Sequence, residues 1–121
     1  MRTLIIGWPR TGKTTLAQEM GGGRSTDEVM SMGWSEASEE VSKWLDQPGD
    51  FIIEGVALPR ALRKWQERNP GEKPPVDKVI LLNNPHETLT DGQIAMGKGM
   101  DTVMSQVLPW LSQDVYIEVR S

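Results

Sequence analysis

Short apolar runs alternate along the chain with stretches of helical spacing. Leu4-Ile5-Ile6, closed by Gly7, reads as a buried strand. Thr14 to Met20 reads as a helix that Gly21-Gly22-Gly23 stops. Arg24-Ser25-Thr26-Asp27 is short and polar, and its position suits a brief second strand. Ser35 opens a stronger helix: Ser35, Ser38 and Glu39 offer cap-like chemistry, and Val41, Trp44 and Leu45 share one face. Pro48-Gly49 ends it as a turn pair. Phe51-Ile52-Ile53 is the next strand, and Glu54-Gly55 follows it. Ala57 to Arg68 is a helix with Pro59 in its first turn, where proline is tolerated. Asn69 to Pro75 is a loop rich in proline. Val76 to Leu82 is a strand closed by Asn83-Asn84-Pro85. Met96, Met100, Met104 and Leu108 recur every four residues, which marks a helix face. Val115 to Val119 alternates towards a last strand. Strands that alternate with helices imply a parallel sheet covered on both faces.

Composition narrows the function. The 121 residues suit one domain spanning 1–121, with room for a single sizeable core. Lys and Arg number 13 against 17 Asp and Glu, a net charge of −4. That excludes a generally basic coat for nucleic acid and leaves room for a local basic groove. There is no Cys, hence no disulfide framework, no thiolate zinc site and no cysteine nucleophile. The lone His86 cannot build a His-rich metal centre. No apolar run approaches the ~20 residues that span a bilayer. The apolar stretch after Met1 is too short for a signal peptide. The expectation is a cytoplasmic protein with no membrane partner.

The chemistry is concentrated in Gly7-Trp8-Pro9-Arg10-Thr11-Gly12-Lys13-Thr14, which satisfies every invariant position of G-x-x-x-x-G-K-[ST]. Gly7 and Gly12 permit backbone angles that turn successive N–H groups inward around a phosphate. The helix that begins near Lys13 adds the positive end of its dipole. Lys13 supplies a mobile cation for terminal phosphates. The Thr14 hydroxyl can ligate Mg²⁺, which prefers oxygen and keeps several waters. Trp8 and Arg10 occupy variable positions of the turn and read as surface more readily than as ligands.

On these residues the chain resembles the P-loop NTPase superfamily, and within it the small nucleoside/nucleotide-kinase-like branch. The resemblance implies an α/β, three-layer P-loop kinase-like fold with a five-stranded parallel sheet ordered 2-3-1-4-5 and the phosphate site at the strand C-termini. It carries nucleotide binding onto Gly7, Arg10, Thr11, Gly12, Lys13, Thr14 and Thr15. It makes Thr14 and Glu54 the metal-holding residues, with ATP as donor and Mg²⁺ as cofactor. Glu54 stands where the family more often has Asp, and a solvated acid opening a turn is the alternative. Kinases of this branch place an acid near the acceptor hydroxyl after strand two. Asp27 stands there, as a base or as a helix cap. Glu28 beside it is the lesser choice.

Gly92 to Gly99 has the place of a lid, with Lys98 between two glycines as its cation, or it is a helix-start loop. Arg60 and Arg63 lie three apart on one helix face and either grip an acceptor phosphate or are solvated. Asn83, Asn84 and His86 follow a strand end where a base or lid contact is possible, although His86 reads first as a capping or surface residue. Trp34, Trp44, Trp65 and Trp110 read as packing residues, and the methionine stripe as core.

The implied activity is phosphotransfer to the hydroxyl of a nucleoside, a nucleotide or a modified base in DNA. The compact architecture, Gly7 to Thr15 and Glu54-Gly55…Arg60 look like phage-type kinases. One such group phosphorylates 5-hydroxymethyluracil within DNA, which would place the protein in a host cytoplasm. A basic rim of Arg10, Arg60, Arg63, Lys64 and Lys98 would serve a DNA acceptor if those residues cluster. The alternatives are a nucleotide-hydrolysing switch or motor component and a binding module without catalysis. Asp46-Gln47-Pro48-Gly49 reads D-x-x-G but precedes its strand, and no N-K-x-D guanine reader is present.

Overall fold

A computed structural model describes residues 1–83, 85 and 88–120. Five strands and four helices follow one another: β1 (Arg2–Gly7), α1 (Lys13–Glu19), β2 (Arg24–Ser25), α2 (Trp34–Trp44), β3 (Phe51–Glu54), α3 (Leu58–Arg68), β4 (Lys78–Leu82), α4 (Asp91–Leu111) and β5 (Tyr116–Arg120). A 3-10 helix over Thr26–Met32 joins β2 to α2. The strands form one sheet in the order β2-β3-β1-β4-β5. Every pairing is parallel. This is the expected 2-3-1-4-5 arrangement.

Strand periodicity explains the layers. Leu4 and Ile6 point to one side of β1, and Ile5 points to the other. The register sets Leu4 beside Ile53 and Val79. Those residues join Val41 of α2, Leu45 at its C-terminal cap, Leu62 of α3 and Val107 of α4 in the main core. On the opposite face Ile5 and Ile80 pack with Ala17 of α1, flanked by Leu16, Ile52 and Leu82. One short helix therefore covers that face. Beyond its reach, β4 and β5 finish the face with charge: Lys78 lies 3.4 Å from Glu118 and 5.5 Å from the Tyr116 ring centroid, and Glu118 also pairs with Arg120. A charged face next to the β5 edge discourages further strand pairing.

Three local expectations need correction. Helix α2 is not capped by Ser35. Gly33, at φ 92°, occupies the cap position with no side-chain bond, and Ser38 Oγ donates instead to the Trp34 carbonyl. The 3-10 helix was not anticipated, and Val29 and Met30 within it pack on the main core. Strand β4 starts at Lys78 rather than Val76. The tryptophans do pack. Trp65 and Trp110 stack at 5.9 Å, with their indole N–H groups on Asp46 and on the Glu72 carbonyl. Trp44 lies under Arg24 and Trp34 under Arg60. Among the described residues no helix is long and apolar enough to cross a membrane.

Candidate active site

The site grows from the end of β1. Gly7 is required there by space: a Cβ would lie 2.6 Å from Thr11 Oγ1 and 2.8 Å from the Leu82 carbonyl. Thr11 is buried, and its hydroxyl donates to the Trp8 carbonyl at 2.8 Å. Gly7 and Thr11 thus hold the turn together from behind. The chain then passes through positive φ at Arg10 (61°) and Gly12 (86°). Gly12 precedes α1 in the left-handed region, with no side-chain cap. No acidic side chain occupies the first turn of α1. Among the described residues this leaves the first N–H groups without a side-chain cap, the arrangement an anion needs.

Lys13 folds back so that Nζ donates to the Trp8 carbonyl at 2.8 Å. Its burial pushes the ammonium below its ordinary value, against the opposing pull of the Glu54 and Asp27 carboxylates. Thr14 Oγ1 donates to Glu54 Oε1 at 3.2 Å. Glu54 is only 3% exposed, so this polar contact and the nearby Lys13 charge matter to its burial. Asp27 lies in the first turn of the 3-10 helix. Its backbone N–H donates to Ser25 Oγ at 3.1 Å, so the capping role belongs to Ser25 and not to the Asp27 carboxylate.

These residues meet at a cavity of about 440 Å³. Arg10, Gly12, Lys13, Thr14, Thr15, Asp27 and Glu54 line it, together with Met30, Gln93 and Met96. The volume falls in the ~300–1,000 Å³ range of small-molecule sites. A second groove of about 320 Å³ shares Met96 with it and is walled by Trp34, Arg60, Gly92, Ala95 and Gly99. The Arg60 guanidinium lies 4.7 Å from the Trp34 ring centroid there. The two hollows therefore adjoin, one lined by residues of the 7–14 turn and two carboxylates, the other carrying a stacked guanidinium.

Other expected residues stand elsewhere. The segment 92–99 is not a loop: it forms the opening turns of α4, started by a capping box in which Thr90 Oγ1 accepts from the Gln93 N–H and Gln93 Oε1 accepts from the Thr90 N–H. Lys98 is exposed on that helix and lines neither hollow. Arg63 donates to Gln106 at 3.0 Å and also lines neither. Lys64 is engaged by the Ser35 carbonyl. The five-residue basic rim is thus not assembled around the cavity. Asn83 borders a small hollow of about 80 Å³ behind the phosphate turn. Asn84 and His86 fall outside the described residues.

Gln93 and Met96 were missed as cavity residues. The T-x-x-Q spacing was a visible helix-start signal, but the glycines around it suggested mobility instead. Gly97 is a close-approach site: a Cβ there would lie 2.2 Å from Trp8 Cδ2, whereas one on Gly99 would lie at an ordinary contact distance, 3.6 Å from Arg60 Nη2. Glycine inside a helix costs ~1 kcal/mol relative to alanine, a cost consistent with the need for room at Gly97.

Among the described residues, no three His, Cys, Asp or Glu side chains converge as a metal cage. Magnesium does not need one, because it binds through one or two protein oxygens plus substrate phosphates and water. The Thr14 hydroxyl and the Glu54 carboxylate, 3.2 Å apart, are oxygens of the kind that would fit such an ion.

No family model matches the chain, and no curated protein matches it. Among solved structures it is similar to shikimate kinase from Bacteroides thetaiotaomicron, at 15% identity and a TM-score of 0.45, over 97% of this chain and 84% of that one. The architecture is α/β, with a five-stranded parallel sheet ordered 2-3-1-4-5 and the G-x-x-x-x-G-K-[ST] turn between β1 and α1.

Proposed function

We propose that the chain is an ATP- and Mg²⁺-dependent phosphotransferase that moves the γ-phosphoryl group to an acceptor hydroxyl. The observation that carries this is the convergence of Lys13, Thr14, Glu54 and Asp27 on one cavity above the phosphate turn. The turn amides and Lys13 would hold the β- and γ-phosphates. Thr14 and Glu54 would hold the magnesium ion, which supplies charge neutralisation on the phosphates. Asp27, freed from capping by Ser25, would orient the acceptor hydroxyl and take its proton as the new P–O bond forms and the bond to the ADP oxygen breaks.

Arg60 supports the choice of acceptor. It walls the adjoining groove and would meet an anionic group on the acceptor, as in a nucleotide or a nucleic-acid backbone. Among a nucleoside, a nucleotide and a hydroxymethylated pyrimidine in DNA, this favours the two phosphate-bearing acceptors, with 5-hydroxymethyluracil in DNA as the specific candidate. Hydrolysis by a switch-type ATPase has less support. The Asp46 of its D-x-x-G accepts from Trp65 Nε1 at 2.8 Å, a packing role.

The test is transfer of labelled γ-phosphate to free nucleosides, nucleoside monophosphates, and DNA with or without 5-hydroxymethyluracil. Label on one acceptor class is expected, with loss of more than 100-fold in Asp27→Asn and Lys13→Ala, in line with ~10²–10⁴-fold for a general base. Label only in inorganic phosphate would replace this reading with hydrolysis.

A further inference from the structure

We propose that Trp8 is a positioning residue: its indole, seated on Gly97 and hydrogen-bonded to Asp101, pins helix α4 to the phosphate turn and holds Gln93 and Met96 over the cradle. The pin has two contacts. The indole occupies the space where a Gly97 side chain would be, with Cδ2, Cε2 and Cε3 all within 2.5 Å of a Cβ built there. Trp8 Nε1 donates to Asp101 Oδ1 at 3.0 Å. Gly97 and Asp101 are four residues apart, so both contacts lie on one side of α4.

The turn end is equally tied. The Trp8 carbonyl accepts from both Thr11 Oγ1 and Lys13 Nζ, each at 2.8 Å. Displacing the Trp8 peptide would therefore move the group that braces the turn and the group that carries its charge. On the helix side, Gln93 sits one turn before Gly97 and is itself anchored by Thr90. The opening of α4 cannot swing outward without unseating the indole. A segment whose glycines suggest a loose cover is thereby made a wall of the site, and residue 8, a variable position in the phosphate motif, couples the wall to the cradle.

The coupling stands on geometry alone, and its effect on ligand binding rests on the nucleotide reading above. The experiment compares full-length wild type, Asp101→Leu, Asp101→Asn and Gly97→Ala by amide hydrogen exchange, and by calorimetric titration with a β,γ-non-hydrolysable ATP analogue and Mg²⁺. Asn keeps an oxygen acceptor for Nε1 and Leu does not. In Asp101→Leu and Gly97→Ala, amides of residues 8–15 and 92–97 should exchange about ten-fold faster together. Analogue affinity should fall about ten-fold, the scale of one hydrogen bond to a charged group. Asp101→Asn should match wild type in both. Unchanged exchange at 8–15 in Asp101→Leu overturns the pin, even if Gly97→Ala fails to fold. Faster exchange with unaltered affinity overturns the positioning role. If wild type binds no analogue, the nucleotide reading fails and exchange alone still decides the pin.

Discussion

At the scale of single residues, Lys13 shows how a buried charge in the candidate site works against the fold that holds it. Burial lowers its pKa, so keeping the ammonium charged in the folded chain opposes folding. Between that lowered value and the ordinary 10.5, the folded form has released its proton and the unfolded form has not. The unfolded state then binds more protons, and unfolding free energy rises with pH across that window. Below the window the penalty is fully present. Urea denaturation at increasing alkaline pH should show this rise in wild type and not in Lys13→Met, which isolates Lys13 from Tyr116 and the other lysines. At neutral pH, Lys13→Met relieves that penalty but strips buried Glu54 of its facing charge, so its stability should stay within ~1 kcal/mol of wild type, while its stabilisation by Mg·ATP disappears. A variant less stable by ~2 kcal/mol would show that the ammonium is a structural brace. Thr26 offers a second contrast. It is fully buried, and its hydroxyl has no hydrogen-bond partner among the described residues. Thr26→Val should therefore stabilise by ~1 kcal/mol in equilibrium denaturation, since it removes an unmet polar group at nearly constant shape.

At the scale of elements, the joint between β2 and β3 decides where the acids stand. Gly55, at φ 146°, has no room for a side chain, because a Cβ would lie 1.8 Å from Thr26 Oγ1. That close seat brings the chain after β2 against the end of β3, so Asp27 and Glu54 face the same cavity. Gly55→Ala combines a forbidden φ with an overpacked contact. It should cost about 3 kcal/mol or more in denaturant unfolding. A cost under ~1 kcal/mol would mean that the joint is compliant. Much of this level was legible in the sequence. The apolar runs of β1, β3 and β4 are too short for helices and are closed by turn residues, and the phosphate turn has its own spacing. Other parts were hidden for physical reasons. The 3-10 helix has no 3.6-residue period to betray it. Glycine reports conformational freedom and close approach with the same letter, so Gly97 reads as part of a lid or helix-start loop until its neighbour Trp8 is known. Arg60 and Arg63 share a helix side by spacing, but only the partners Trp34 and Gln106 separate their surroundings.

At the scale of the molecule, the layers are unequal, and the site lies where that inequality matters. Three helices bury the main core on one face, whereas α1 alone covers the other and a charged ladder finishes it. The phosphate turn is the root of α1, and the far wall of the cavity, Gln93 and Met96, belongs to α4 in the opposite layer. A bound nucleoside triphosphate would touch both layers at once and would stabilise the fold as a whole. Its effect follows from mass action: at a hundred times its dissociation constant, a ligand adds ~2.7 kcal/mol to the folded state. For a chain of this size that corresponds to a rise in Tm of about 10 °C. Mg·ATP should produce it in wild type, inorganic tripolyphosphate with Mg²⁺ should produce a smaller rise through the cradle alone, and Lys13→Met should show neither. The same titration, followed by hydrogen exchange, should protect α1 and the opening turns of α4 together. Protection of α1 without α4 would mean that the ligand rests on the turn and never reaches the opposite layer. The adjoining Arg60 groove would then be too far from the phosphates to present an acceptor to them.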